Sequence, residues 1–325
     1  MPIQHSHKFL SARLAALGLL LFAASAVVVV AQDESKPVKI ETGNRLVSLN
    51  VIVTDSSGHV VTDLKAEEFR VLEDGKPQPL SYFSREESPV SYGLVIDTSG
   101  SMRTLINQII EAGKGVVASN KPGDETFVMN FTDSDHIRMG QGFTSNKYAL
   151  EEALDDIYVE GGLTALRDAS DRAVVYLQKN KRSEEAAHPR RNAIVLITDG
   201  EDRGSRARSA DALLNQLRDE NVQFFIIGLS KLSSLQSSRE RADNFLKRMA
   251  ETTGGRAFFP KSTQELPGIV DEIARDLHTQ YVMGYAPSNS APDGVYRKVQ
   301  VTVPDSPTRK KLNVFARPGY TAPHL

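Results

Sequence analysis

Hydrophobic positions change their period twice along this chain. Val47, Leu49, Val51 and Val53 alternate with polar residues, the period of a half-buried strand. Asp55-Ser56-Ser57-Gly58 and Glu73-Asp74-Gly75-Lys76 are hairpin-type turn signals, and Phe69, Val71 and Tyr82 continue the alternation, so residues 40–83 predict β-structure. The charged stretch Arg85-Glu86-Glu87-Ser88-Pro89 then interrupts the pattern. From Val90 onward, short apolar runs alternate with amphipathic stripes. The runs are Leu94–Ile96, Phe127–Met129, Ile194–Ile197, Phe224–Ile227 and Ala257–Phe259. The stripes are carried by Leu105/Ile109/Val116, Leu150/Leu154/Ile157, Leu166/Ala169/Ala173/Leu177, Leu213/Leu214/Leu217, Phe245/Leu246/Met249 and Leu266/Ile269/Val270/Ile273/Leu277. A short polar strand pair is expected around His136 to Phe143, and a solvated loop over Lys179–Arg191. Apolar strands alternating with amphipathic helices predict an α/β fold, a doubly wound, mainly parallel sheet covered on both faces. After His278 the period of two returns, with Val299/Val301/Val303 and Leu312/Val314/Ala316 punctuated by prolines.

The flanks predict the domain plan. Residues 32–89 offer about four short strands and 281–325 about three, each too few for an independent unit. The ends of an inserted domain usually lie close together. The two flanks are therefore expected to pair into one small all-β domain, with residues 90–280 inserted between them.

Residues 1–31 stand apart. Lys8 and Arg13 precede an apolar run from Leu14 to Ala31, and no acidic residue occurs before Asp33. This is the pattern of an export signal, with Val29 and Ala31 as small residues before a cleavage point near Gln32. The alternative is a retained membrane anchor through residues 14–31, since about eighteen apolar residues just span a bilayer. Either way the remainder is expected to be secreted, periplasmic or held in the cell envelope, as in an exported bacterial protein. Removing Lys8 and Arg13 takes the formal net charge from −2 to −4. No run of positive charge suits a nucleic acid. With no cysteine in the chain, disulfides, thiolate metal sites and cysteine nucleophiles are excluded.

In open α/β sheets ligands bind outside the carboxyl ends of the strands. Asp97-Thr98-Ser99-Gly100-Ser101 follows the first apolar strand, and Asp199-Gly200-Glu201-Asp202 follows the Ile194–Ile197 strand. Between them Gly161-Gly162-Leu163-Thr164 opens a helix. All three are expected on one rim. Carboxylates and hydroxyls without imidazole or thiolate are hard donors suited to Mg²⁺, with Mn²⁺ or Ca²⁺ as alternatives. A bland reading competes with this: Asp, Ser and Thr in such a turn can simply cap a helix.

Asp-x-Ser-x-Ser, a later Gly-Gly-x-Thr and a distal strand-Thr-Asp-Gly resemble the metal-ion-dependent adhesion site of von Willebrand factor type A domains. Asp97, Ser99, Ser101, Thr164 and Asp199 match the five positions without departure. The resemblance implies that Ser99, Ser101 and Thr164 supply hydroxyls to a metal and that Asp97 and Asp199 often act through water. It also implies that an Asp or Glu of a protein partner fills the open position, which is adhesion and not catalysis. The likeness extends over about residues 90–280. The flanks, through Leu64-Lys65-Ala66-Glu67-Glu68-Phe69 and Tyr281-Val282-Met283-Gly284-Tyr285, resemble a bacterial subgroup of proteins related to that family. Asp168, Glu201 and Asp202 lie near the rim, where they either back the metal ligands as second-layer candidates or stand as solvated surface carboxylates.

Other chemistries lack their residues. There is no Gly-x-Gly-x-x-Gly after the first strand, no P-loop lysine and no Gly-x-Ser-x-Gly elbow. A Mg²⁺-dependent phosphatase or other hydrolase is the closest enzymatic alternative, but it would place a second carboxylate where Ser99 stands. A purely structural envelope protein, using the metal only for stability, is the other alternative. His136, His188 and His278 show no metal spacing and are expected at the surface or partly buried.

Overall fold

The computed structural model describes residues 46–85, 88–180, 190–233, 239–306 and 311–324. The expected export segment and His188 lie outside these residues. Among the described residues no helix is long and apolar enough to cross a membrane.

The amino-terminal flank forms β1 (Val47–Thr54), β2 (Arg70–Glu73), β3 (Lys76–Gln78) and β4 (Tyr82–Ser84). Asp74 and Gly75 both take positive φ, 48° and 79°, as a two-residue hairpin turn between right-twisted strands requires. The central region follows as β5 (Val90–Asp97), α1 (Ile106–Ala118), β6 (Glu125–Phe131), β7 (Ile137–Thr144), α2 (Lys147–Asp155), α3 (Leu166–Lys179) and β8 (Arg191–Thr198). It ends with α4 (Ala210–Asp219), β9 (Gln223–Gly228), α5 (Arg239–Thr253), β10 (Arg256–Phe258) and α6 (Leu266–His278). The carboxyl-terminal flank supplies β11 (Tyr281–Tyr285), β12 (Tyr296–Thr302), β13 (Asn313–Phe315) and β14 (Gly319–Thr321).

The central sheet has the order β10-β9-β8-β5-β6-β7, parallel throughout except for β7, which runs antiparallel to β6. Helices α1, α2 and α6 bury their apolar stripes on one face, and α3, α4 and α5 on the other. This is the doubly wound architecture expected from the alternation of runs and stripes. The chain winds outward in both directions from the β5–β8 pair. That pair is the topological switch point, where the loops leaving the strand ends diverge and open a crevice.

The flanks interleave. β1 pairs with β11 and β13, and β2 pairs with β12, all antiparallel, giving four-stranded sheets β13-β1-β11-β4 and β14-β12-β2-β3. Val47, Leu49, Val51, Leu64 and Phe69 share one apolar core with Met283, Tyr285, Val299 and Val301. The expectation that residues before and after the central region build one β-unit holds.

Two elements differ from the sequence expectation. The polar pair around His136–Phe143 is a single strand, β7. It runs through Gly140 and Gly142, which sit where its register shifts against Thr126, Val128 and Met129. The carboxyl flank also carries a further strand, β14, three residues long between prolines, too short for any period to show.

One contact tests the interleaving. The Tyr281 hydroxyl accepts from the Leu64 N–H (3.0 Å) and donates to the Val61 carbonyl (2.9 Å). Tyr281→Phe leaves that N–H buried without its acceptor, and should cost about 1–3 kcal/mol in urea unfolding. A stability unchanged from wild type would mean that this hydroxyl adds nothing to the join made by the strand pairs and the shared core.

Candidate metal centre

The first acidic residue of the rim ends β5 at the switch point. Asp97 is fully buried. Its Oδ1 accepts from the Ser99 backbone N–H (2.9 Å), and its Oδ2 accepts from the Thr198 hydroxyl at the end of the neighbouring strand β8 (2.6 Å). The Ser99 and Ser101 hydroxyls lie 3.1 Å apart, since the 3₁₀ turn Gly100–Met102 folds the second serine back over the first.

Asp199 follows Thr198 and is 2% exposed. Its Oδ1 accepts from the Glu201 N–H (3.1 Å), whereas Oδ2 is buried without a hydrogen-bond partner among the described residues. A buried carboxylate oxygen left unpaired is costly, and two such carboxylates on one rim repel each other. Burial, and then the charge of Asp199, push the Asp97 carboxyl up to about 7.

The third loop is drawn in by backbone contacts. Gly161 and Gly162 take φ of +85° and +93°, a path that L side chains rarely follow. A Cβ on Gly100 would meet the Gly161 Cα at 3.9 Å, so the two loops lie against each other. The Glu160 N–H donates to the Thr98 carbonyl (3.3 Å) and the Ala165 N–H to the Thr132 carbonyl (2.6 Å). The Thr164 carbonyl accepts from the N–H groups of Arg203 (3.0 Å) and Gly204 (2.8 Å) in the loop after Asp199. Thr164 itself is 3% exposed. All three sequence segments therefore meet at one rim.

The second-layer candidates separate. Glu201 lies against Asp199 and pairs with Arg203 (2.5 Å). Its carboxyl is raised by burial, with Arg203 pulling it down and the Asp199 charge pushing it up. Asp202 instead accepts from Arg167 Nε (2.5 Å) and holds the turn through the Ser205 N–H (3.2 Å). Asp168 ties down the same loop, accepting from the Ser134 hydroxyl (2.5 Å) and the N–H groups of Arg206 (2.8 Å) and Ala207 (3.0 Å). Burial raises its carboxyl, but these donors and the nearby Arg167 hold it below the usual carboxylate range. Both are engaged in bracing the loop that carries Glu201 and Arg203. Asp168→Ala should cost about 1–3 kcal/mol of stability through the stranded N–H groups. It should weaken Mg²⁺ binding less than tenfold, measured by calorimetry beside urea unfolding; loss of metal binding as complete as in Asp97→Ala would make Asp168 a ligand instead of a brace.

Thr198 escaped the sequence reading as a site residue. It joins the two strand ends, donating to Asp97 while accepting from the Gly200 N–H (3.0 Å). The only signal was a hydroxyl directly before Asp199. Neither His136 nor His278 contacts Asp97, Ser99, Ser101, Thr164 or Asp199 among the described residues. His136 faces Asp133 (2.8 Å) at the surface. His278 is a correction to the expected surface or partly buried position: it is buried, with Nε2 2.7 Å from Asp124 and Nδ1 2.7 Å from the Ala274 carbonyl. It bolts the end of α6 to the loop before β6, and no spacing pattern shows such a long-range pair.

Among the described residues no three His, Cys, Asp or Glu side chains gather as a metal cluster. A cation at this rim would depend on hydroxyl oxygens beside two carboxylates. The donor set fits a hard divalent ion, and the orphaned Asp199 oxygen fits an electropositive neighbour.

A family model for the von Willebrand factor type A domain matches residues 93–272, more than half of the chain. The chain belongs to the von Willebrand factor type A domain family. Domains of this family are generally interaction modules and commonly bind a divalent metal at the adhesion-site motif. Among solved structures, "von Willebrand factor type A from Catenulispora acidiphila" is 14% identical, with a TM-score of 0.50, covering 88% of this chain and 65% of that one. At that identity the likeness is one of fold. Protein BatB from Bacteroides thetaiotaomicron is 16% identical over 57% of this chain and 98% of its own, with a TM-score of 0.44. Proximal thread matrix protein 1 from the mussel byssus, described with a zinc-occupied motif of this kind, is 18% identical over 63% of this chain and 49% of its own, with a TM-score of 0.46. No curated protein sequence matches the chain.

Proposed function

We propose that this protein is an interaction module that holds a divalent cation, Mg²⁺ first and Mn²⁺ or Ca²⁺ as alternatives, with Asp97, Ser99, Ser101, Thr164 and Asp199. Through that ion it takes an Asp or Glu carboxylate from a protein partner. The observation that carries this reading is the pair of buried carboxylates at the switch point, one of whose oxygens, Asp199 Oδ2, has no hydrogen-bond partner among the described residues. A bound ion supplies the positive charge that this arrangement calls for. Two carboxylates and three neutral hydroxyls leave room for an outside oxygen, because some contacts run through water.

The surroundings favour a protein over a small anion. Tyr158 and Leu163, on the loop that leads to Thr164, are 61% and 55% exposed. Apolar groups standing in solvent beside a polar site suit a protein interface. The export pattern of residues 1–31 supports a module that works outside the cytoplasm, either secreted or periplasmic, or held to the envelope through residues 14–31.

Mn²⁺ titration followed by electron paramagnetic resonance tests the reading. One bound Mn²⁺, displaced by Mg²⁺ and with a spectrum altered by a Glu-containing peptide but not by its Gln counterpart, is the expected result. A bound-ion spectrum indifferent to both peptides would remove the carboxylate step.

A further inference from the structure

The rim continues into a cleft of about 1150 Å³ between the loop after β8 and helix α5. Its floor begins at Gly200 and Glu201, immediately beyond Asp199. Its walls are basic, although the chain as a whole carries a formal −2. The two acidic side chains on the loop side are already matched, Glu201 by Arg203 and Asp202 by Arg167, each at 2.5 Å. Across the cleft, Arg241 is exposed and has no hydrogen-bond or ion-pair partner among the described residues. Arg248 reaches only Asp211 (3.1 Å), with the two side chains 56% and 80% exposed. Such a solvent-screened pair is easily exchanged for a ligand's carboxylate. Glu240 is the one acidic side chain of α5 that lines the cleft.

Spacing adds to charge. Arg241, Phe245 and Arg248 stand at i, i+4 and i+7 of α5, which places them along one helix face. The two arginines are separated by about 10 Å along the helix axis, close to the reach of three extended residues. Half-buried Phe245 lies between them.

We infer that this cleft is the second half of the ligand site. The partner segment whose carboxylate meets the metal continues along α5 as an acidic stretch, with carboxylates on Arg241 and Arg248 and an apolar side chain over Phe245. This rests on the metal reading above and deepens it: the partner is an acidic, extended protein segment and not an isolated Asp or Glu on a neutral surface. Opposite charges lining a cleft also steer such a segment toward the rim.

Two fluorescein-labelled peptides test it against the full chain by anisotropy in Mg²⁺. One is Glu-rich with a single central Phe; the other keeps one Glu and has Gln at the remaining acidic positions. The Glu-rich peptide should bind at least about tenfold more tightly, lose binding in EDTA, and weaken as salt rises. In the double variant Arg241→Glu/Arg248→Glu its advantage should disappear, while Mg²⁺ affinity by calorimetry stays within about twofold of wild type; both arginines are solvent-facing, so the fold should tolerate the change. Equal binding of the two peptides, or a Glu-rich advantage that survives the charge reversal or EDTA, overturns the cleft. Failure of Mg²⁺ to bind the wild-type protein is a separate result, and it strikes the metal reading itself.

Discussion

Replacing Asp97 by asparagine should make the metal-free protein more stable at about pH 8 and leave it nearly unchanged at about pH 4. The sign follows from the direction of the shift. The folded-state carboxyl titrates at about 7, against an ordinary value of 3.8, because it is buried and faces Asp199. A folded-state value above the unfolded one means that the native protein keeps the proton while the unfolded chain has already released it. The stabilisation associated with that proton is therefore full below about pH 4 and is lost as pH rises through about 7. Asparagine cannot ionise and keeps an oxygen for the Ser99 N–H. The variant should therefore lose this slope and end above wild type by an amount on the order of a few kcal/mol. Asp276 is also raised to about 7, by burial, with Arg256 opposing; it is present in both proteins and cancels in the comparison. Urea unfolding in EDTA across this range gives the result, and parallel profiles would show that Asp97 is not held in a charged, desolvated cluster.

Magnesium should oppose that pH dependence. At about a hundred times its dissociation constant, an ion that binds only the native state adds about 2.7 kcal/mol. For a domain of this size that corresponds to a rise of roughly 5–10 °C in Tm. The gain should be present at about pH 8 and shrink toward about pH 5, where a proton holds Asp97 and competes with the metal. Ser99→Ala and Thr164→Ala should keep part of the gain, since each removes one neutral oxygen that water can replace, whereas Asp97→Ala should abolish it. Differential scanning calorimetry with Mg²⁺ and with EDTA reads all of these together. A Tm indifferent to Mg²⁺ at pH 8 would leave the rim as three loops held together by hydrogen bonds alone.

The central fold was legible because its signals are dense. Six amphipathic stripes carry the helical period, and the buried runs at β5, β6, β8 and β9 are too short for helices and alternate with those stripes. The flanks were legible for a different reason: neither could bury a core alone, so their joining into one β-domain followed from what each lacked, whereas the partners themselves, β1 with β11 and β2 with β12, show only in the structure. Strand β7 and strand β14 were harder to read, because glycines and prolines obscure alternation over a few residues. At the rim, the placement of Asp97, Ser99, Ser101, Thr164 and Asp199 on converging loops was readable from strand ends and glycines. The roles of Asp168 and Asp202 were not. Their partners, Ser134, Arg206, Ala207 and Arg167, come from distant segments, and a carboxylate that braces a loop looks the same in sequence as one that meets a metal. The basic wall of α5 was invisible for a related reason: its arginines are diluted among acidic neighbours along the chain and gather only across the cleft.

The central claim is that Asp97 and its neighbours bind a divalent cation instead of merely capping a turn. Isothermal calorimetry of wild type and Asp97→Ala against Mg²⁺, in one buffer at about pH 8, tests it most directly. One site in the wild-type protein and no measurable binding in a folded variant is the predicted result. Equal Mg²⁺ affinity in the two proteins would contradict it, and the Asp97-Thr98-Ser99-Gly100-Ser101 loop would then be a helix-capping turn.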